Sequence, residues 1–149
     1  MKYFAYGSNM DPERMRERDI TFSQRRHAIL KGYRLEFNKV ASRNPEEGYA
    51  NIVQYENGVV EGVLYDIRDS DLAKLDRCEG YPEHYDRAKV KVELDDNHEM
   101  EAVTYIAQPG KVTYGLRPSR DYLDHLLAAE DLLSKSYSRM LAAVQTLEE

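Results

Sequence analysis

The spacing of apolar and polar residues predicts a chain built mainly of β-strands. Ala88, Val90, Val92 and Leu94 alternate with charged residues, which is typical of a strand with one buried face. Runs rich in β-branched and aromatic residues strengthen the same prediction elsewhere. About six or seven strands are expected, including segments 3–6, 27–37, 49–55, 59–67, 84–94 and 99–107.

Glycines and polar runs mark the predicted breaks between these strands. Asn57-Gly58 predicts a two-residue hairpin turn, because both residues tolerate the positive φ angles of such turns. Gly32 is a natural position for a bend or bulge. Segment 39–48 loses all periodicity, so we expect a loop there, which is a candidate rim for a binding pocket.

Capping residues predict short helices between and after the strands. Asp11 followed by Pro12 is a helix start, and Gly80 can end a helix that begins near Asp69 or Ser70. A helical pattern then begins at Ser119 and a second at Ser134 or Ser136. The expected fold is α+β, a small mixed, mostly antiparallel β-barrel with inserted and C-terminal helices.

Composition narrows the class of protein. With 149 residues and 42% hydrophobic content, residues 1–149 are expected to form a single domain. One cysteine, Cys78, and no apolar run of membrane-spanning length favour a cytoplasmic protein with no membrane partner. A net charge of −6 argues against nucleic acid as a binding partner. We interpret the local cluster of Arg14, Arg16, Arg18, Arg25 and Arg26 as a solvated face.

The turn formed by Tyr6, Gly7, Ser8 and Asn9 is a candidate anion-binding site. It follows a predicted strand and precedes a predicted helix, so consecutive backbone N–H groups can point outward. An ordinary strand-to-helix connection has the same pattern.

Glu79 is the acid with the most suggestive neighbours. It follows apolar Leu75 and precedes Gly80, Tyr81 and Tyr85. Burial among these residues would raise the pKa of its carboxyl towards that of a general base.

Other chemistries fit the sequence less well. Cys78 with His84 could form a nucleophile and base, although a small buried thiol is the simpler interpretation. Ser8 lacks the second glycine of a nucleophile elbow. Carboxylate-pair chemistry by Asp76, Glu79 and Glu83 stays open. The four histidines lack ligand spacing, so no metal is expected.

The order of several motifs resembles the gamma-glutamylcyclotransferase family. They are Tyr-Gly-Ser-Asn within 3–10, Gly-Val-Leu-Tyr-Asp-Ile at 62–67, Asp-Arg-Cys-Glu-Gly-Tyr at 76–81 and Pro-Ser-Arg-Asp-Tyr-Leu at 118–123. The resemblance spans nearly the whole chain and implies a small mixed barrel with flanking helices.

The resemblance also implies a reaction. In this family the free α-amino group of a γ-glutamyl unit attacks its own γ-carbonyl and releases 5-oxoproline and an amine, without a cofactor. Tyr6, Gly7, Ser8 and Asn9 would then bind the γ-glutamyl unit, and Glu79 would be the general acid/base. Tyr85 and Tyr122 match positions near the substrate.

The resemblance leaves the leaving group open. Family members differ in the amine they release, and Arg43-Asn44-Pro45, which departs from the family pattern, is expected to bear on that choice. A non-catalytic module that binds a γ-glutamyl-like or carboxylate ligand is the alternative function, and a Ser or Cys hydrolase is a third. The amphipathic C-terminal segments could pack on the barrel or form a homodimer.

Overall fold

Five β-strands and four α-helices make up the protein, whose computed structural model describes residues 1–149. Short 3-10 turns precede α1, precede α2 and follow β5. The elements are β1 (Lys2–Ala5), α1 (Pro12–Glu17), β2 (Phe22–Ala41), β3 (Asn44–Ile67), α2 (Leu72–Glu79), β4 (Tyr85–Leu94), β5 (Glu99–Ala107), α3 (Arg120–Leu127) and α4 (Lys135–Ala142).

The five strands close into a barrel in the order β1-β3-β2-β4-β5. The neighbouring pairs are antiparallel except for the closing pair, in which Tyr3 of β1 lies opposite Val103 of β5 in parallel. This arrangement confirms the predicted α+β fold with a mixed, mostly antiparallel barrel. It has fewer strands than the six or seven expected, because β2 and β3 are long.

The predicted loop at 39–48 is wrong, because β2 and β3 continue through it as a hairpin. Lys39 pairs with Tyr49 and Ala41 with Asn44, which leaves only a two-residue turn between the strands. Polar side chains in this region form hydrogen bonds within the hairpin. Buried Glu47 accepts two hydrogen bonds of 2.8 Å from Arg43, so a polar sequence can stay in strand conformation.

The predicted hairpin turn at Asn57-Gly58 is also wrong, because both residues lie inside β3. Val59 pairs with Lys31 and Gln54 with Tyr33, so residues 55–58 bulge out opposite the single residue Gly32. Asn57 adopts the expected positive φ of 66° and Gly32 has φ of 85°. The predicted bulge at Gly32 is therefore confirmed. The bulge shifts the pairing of β2 with β3 without ending either strand.

Capping residues set most helix ends as predicted, but the predicted start of α2 near Asp69 or Ser70 is wrong, because these residues lie in a 3-10 turn and α2 begins at Leu72 without a side-chain cap. The Asp11 carboxylate accepts from the Glu13 backbone N–H, and Ser119 and Ser134 cap α3 and α4 in the same way. Gly80 ends α2 with a left-handed φ of 66°. None of the helices is long and apolar enough to cross a membrane.

The hydrophobic core fixes the segment after β1 against the barrel. The fully buried Tyr65 of β3 donates its hydroxyl hydrogen to the carbonyl oxygens of Asn9 and Met10, at 2.7 and 3.1 Å. Met10 and Met15 are themselves fully buried. The 3-10 turn at Ser8–Met10 is thereby held in one position, which matters for the cavity beside it.

Candidate functional site

A cavity of about 340 Å³ opens between the first turn, the C-terminal end of α2 and the tip of the β2–β3 hairpin. A smaller space of about 30 Å³ lies behind it and shares Ser8, Glu79, Tyr85 and Tyr122 with its wall. Tyr6, Gly7 and Asn9 line only the smaller space. The structure therefore brings together all seven residues predicted for the site, which are Tyr6, Gly7, Ser8, Asn9, Glu79, Tyr85 and Tyr122.

The turn after β1 lines the smaller space and leaves two backbone N–H groups outside its own hydrogen bonds. Its first hydrogen bond runs from the Met10 N–H to the Gly7 carbonyl at 2.9 Å, so the N–H groups of Ser8 and Asn9 precede the bonded turn and are available. A Cβ at Gly7 would lie 3.1 Å from the Ala50 Cβ and 3.2 Å from the Tyr122 oxygen. Glycine thus allows the turn to approach the cavity wall closely.

Glu79 is the last residue of α2, and its side chain is only 19% exposed. Its Oε1 accepts a hydrogen bond of 3.2 Å from the side-chain amide of Asn9. The Arg18 guanidinium lies 4.0 Å from the same oxygen and donates to the Asn9 Oδ1 at 2.7 Å. Asn9 thereby links the turn to the carboxyl and fixes their relative position.

The environment of Glu79 favours its protonated form. Burial raises the pKa of the Glu79 carboxyl above its ordinary value, and the positive charges of Arg18, Arg14 and Lys39 oppose this effect only in part. A carboxyl with a raised pKa takes up and releases a proton more readily near neutral pH than an exposed one.

Three tyrosines shape the apolar part of the wall. Tyr85 donates its hydroxyl hydrogen to the Ala50 carbonyl at 2.7 Å, whereas Tyr122 accepts from the Ala50 N–H at 3.0 Å. Tyr6 donates to the carbonyl of Tyr105. Burial raises the pKa of all three hydroxyls, so they remain protonated at neutral pH.

The interpretation of the early arginines as a solvated face is wrong for four of the five. Only Arg16 is exposed, whereas the others are half-buried, and two of these, Arg14 and Arg18, line the cavity. Their spacing of four residues places Arg14 in α1 and Arg18 at its C-cap on the same face. That spacing is the signal in the sequence that could have identified them.

Segment 39–48 is the predicted pocket rim, and its residues Lys39 and Ser42 do line the cavity, although no role is predicted for either side chain. Tyr49 also lines the cavity and is not among the predicted residues. A β-bulge lies between Glu36 and Lys39 of β2. It leaves consecutive Asn38 and Lys39 both buried, whereas regular alternation would expose one of them. A bulge of this kind has no clear signature in the sequence. Arg43, Asn44 and Pro45, expected to bear on the leaving group, do not line the cavity, since Arg43 is paired with Glu47.

The groups proposed for other chemistries share the cavity only in part, because Cys78 and His84 both line it but are not hydrogen-bonded to each other. Cys78 is exposed, so its prediction as a buried thiol is wrong, and the His84 Nδ1 is hydrogen-bonded to Lys39 instead. Ser8 has no hydrogen bond to a histidine. Asp76 accepts from the Tyr105 hydroxyl, and neither it nor Glu83 lines the cavity with Glu79. No group of three or more His, Cys, Asp or Glu side chains is arranged to hold a metal ion.

Comparison with known proteins shows one consistent similarity. A solved structure of a gamma-glutamyl cyclotransferase superimposes with a TM-score of 0.87 and 27% identity, covering 100% of this chain and 90% of the other. The gamma-glutamylcyclotransferase of Mus musculus is 28% identical over 152 residues, which covers 98% of this chain and 79% of the mouse protein.

Other relatives match over shorter regions. Protein MJ1514 of Methanocaldococcus jannaschii, named provisionally as a gamma-glutamylcyclotransferase, is 37% identical over 62 residues and 38% of this chain. The matched region spans 52% of MJ1514 and less than half of two further curated relatives. A sequence profile described as "Gamma-glutamyl cyclotransferase, AIG2-like" matches residues 3–124. The chain therefore belongs to the gamma-glutamyl cyclotransferase, AIG2-like family.

Proposed function

We propose that the protein is a gamma-glutamyl cyclotransferase that converts a small γ-glutamyl compound into 5-oxoproline and a free amine. The substrate's α-amino nitrogen attacks its own γ-carbonyl carbon. A new C–N bond closes the five-membered lactam as the C–N bond to the leaving group breaks. No water, redox partner or group carrier enters this balance.

The turn at 6–9 holds the γ-glutamyl end of the substrate in this proposal. The N–H groups of Ser8 and Asn9 are available to the α-carboxylate, with the nearby charges of Arg14 and Arg18 adding attraction. Ser8 acts as a hydrogen-bond donor. Fixing the carboxylate in this way would hold the amine within about 3–3.5 Å of the γ-carbonyl carbon, the distance from which attack is productive.

Glu79 moves the proton. The substrate arrives with a protonated α-amino group, which cannot attack until the Glu79 carboxylate removes a proton. The protonated Glu79 then returns that proton to the departing nitrogen, because an amide nitrogen leaves readily only as a neutral amine. The attacking nitrogen loses a second proton when it becomes the lactam N–H, and the released amine takes up this proton and departs as an ammonium. A raised pKa suits a group that must act first as a base and then as an acid.

One observation carries this proposal above the others. The partly buried Glu79 carboxyl is hydrogen-bonded to Asn9 of the same turn that presents the free N–H groups, so proton transfer and substrate binding share one cavity. A site that only bound a γ-glutamyl or carboxylate ligand would not need a carboxyl with a raised pKa at this point, whereas proton transfer does.

Replacement of Glu79 by Gln tests the proposal, with Glu83→Gln as the matched control. Glu83 is exposed, lies four residues further along and does not line the cavity. We expect Glu79→Gln to lower kcat for 5-oxoproline formation by about 10²- to 10⁴-fold, the usual contribution of a general acid/base. Circular dichroism should show an unchanged fold. Near-normal turnover by Glu79→Gln, or an equal loss in both variants, would contradict the role.

A further inference from the structure

Lys39 is a buried cationic residue of the cavity that has no carboxylate partner. It lies on β2 just after the bulge and is only 2% exposed, yet it lines the cavity. Its Nζ is 2.9 Å from the His84 Nδ1, which is its one hydrogen bond within the chain. Burying an ammonium without a carboxylate is costly, so an unpaired one beside a cavity points to a ligand.

Three arginines also line the wall. Arg77 is exposed and has no side-chain hydrogen bond, whereas Arg14 and Arg18 are already engaged. Arg18 donates to the Asn9 side chain, and an Arg14 nitrogen lies 3.3 Å from the His125 Nε2. Arg14 belongs to α1 and Arg18 is its C-cap, on the side of the cavity formed by the first turn. Lys39 lies on the hairpin instead, with Nζ 5.7 Å from the ring centres of both Tyr49 and Tyr85.

His84 leaves most of the Lys39 ammonium free. Burial and the charges of Lys39 and Lys111 lower the pKa of His84, so its ring is neutral at neutral pH and its Nδ1 can accept one hydrogen bond. An ammonium carries three N–H donors. Two of them therefore remain for a molecule in the cavity.

Resting on the function proposed above, we infer that Lys39 binds a carboxylate on the leaving group, with Ser42 at the tip of the hairpin beside it. The site would then select γ-glutamyl amino acids or peptides over γ-glutamylamines. The γ-glutamyl end occupies the first turn, and the leaving group extends towards the hairpin. An uncharged amine would leave Lys39 buried and unpaired, and a polyamine would be repelled by it.

Two substrates that differ by one carboxylate test this inference. γ-Glutamyl-alanine and γ-glutamyl-ethylamide share every other heavy atom of the leaving group. We expect kcat/KM of the native protein to be about 10- to 100-fold higher for the alanine compound, the range given by one hydrogen-bonded charge pair. In Lys39→Met that ratio should collapse to within about threefold, mainly through loss of activity on the alanine compound.

Lys111→Met is the matched control for charge. Lys111 is exposed and close enough for its charge to influence Lys39 and His84, but it does not line the cavity. The Lys111→Met variant removes one positive charge from the same region. Because Lys111 does not line the cavity, this variant should keep the native ratio of kcat/KM for the two substrates. Lys39→Arg, which keeps the charge, should retain part of the preference, and this variant separates loss of charge from disruption of the hairpin.

Equilibrium binding to Glu79→Gln protein distinguishes failure of this inference from failure of the proposed function. Titration calorimetry with both compounds should show tighter binding of γ-glutamyl-alanine, and the preference should disappear in the Lys39→Met, Glu79→Gln double variant. A Lys39-dependent preference without any native 5-oxoproline formation would remove the proposed function but keep the carboxylate site. Native turnover with equal kcat/KM for the two compounds, unaffected by Lys39→Met, would overturn the inference alone.

Discussion

Tyr122 and Tyr85 hold the same residue, Ala50, but use their hydroxyls in opposite ways. The Tyr122 oxygen accepts from the Ala50 N–H at 3.0 Å, so its own hydrogen has no acceptor within the chain. The Tyr85 hydrogen is already donated to the Ala50 carbonyl at 2.7 Å. Both rings line the cavity, and of these two residues Tyr122 is the one with a free hydroxyl donor for a substrate.

Replacement of Tyr122 by Phe should therefore have two effects. The buried Ala50 N–H loses its acceptor, which should lower the free energy of unfolding by about 1–3 kcal/mol. For a chain of this size each kcal/mol lowers Tm by about 2–4 °C. Loss of a donor to a charged or polarised substrate group should lower kcat/KM for 5-oxoproline formation by about 10- to 100-fold.

Tyr85→Phe is the matched control for this prediction. It removes the same atom from the same wall and leaves the Ala50 carbonyl without its partner, so a loss of stability of similar size is expected. Its kcat/KM should fall by less than about tenfold, because no free donor is lost. Thermal unfolding and initial rates of 5-oxoproline release would be measured on both variants. Equal losses of kcat/KM in the two, or native activity in Tyr122→Phe, would refute the reasoning.

Two further predictions concern stability. At neutral pH, Glu79→Gln should have a higher Tm than the native protein, because the pKa of Glu79 is raised in the folded state and its ionised form therefore destabilises the fold. The Tm difference should shrink as the pH falls through the folded-state pKa and vanish below the ordinary pKa near 4.5. A Tm difference that does not change with pH would contradict this prediction. Gly48→Ala should lower the free energy of unfolding by more than about 3 kcal/mol in urea denaturation, since its Cβ would lie 2.1 Å from the Phe37 carbonyl oxygen and 2.7 Å from the Leu116 Cβ. Gly110→Ala, with nothing within 4 Å, is its control, and equal stability of the two variants would show that the hairpin can shift.

The parts of the fold that follow from local rules could be predicted from the sequence. Asp11, Ser119 and Ser134 cap helices through their own side chains, and Gly80 ends a helix through its own φ. The alternation of 88–94 likewise records which face of the strand is buried. In each of these cases the cause lies within a few residues of the effect.

The long β2–β3 hairpin could not be predicted, because its causes are distant in the chain. Asn57 has the expected positive φ, but pairing with β2 on both sides keeps the strand continuous. The polar residues of segment 39–48 predict a loop. The segment is held as a strand by the Arg43–Glu47 pair and by the bond from the Gly48 N–H to the Arg117 carbonyl.

Part of the candidate site could be predicted from the sequence, because some of its residues lie in short local motifs. The turn at 6–9 and Glu79 stand in short motifs whose order carries the family resemblance. Lys39 stands in no motif, and its burial depends on a bulge and on a cavity formed by segments far apart in the chain. Only the folded arrangement shows that its ammonium faces the same space as Glu79.

Product analysis in ¹⁸O-labelled water tests the central claim most directly. The native protein, supplied with γ-glutamyl-alanine, should release 5-oxoproline and alanine in equal amounts, with no solvent oxygen in either product. Intramolecular attack uses the substrate's own nitrogen, whereas hydrolysis must add an oxygen atom from water. Glutamate carrying one ¹⁸O in its γ-carboxyl group, or a covalent γ-glutamyl adduct on the protein, would contradict the account.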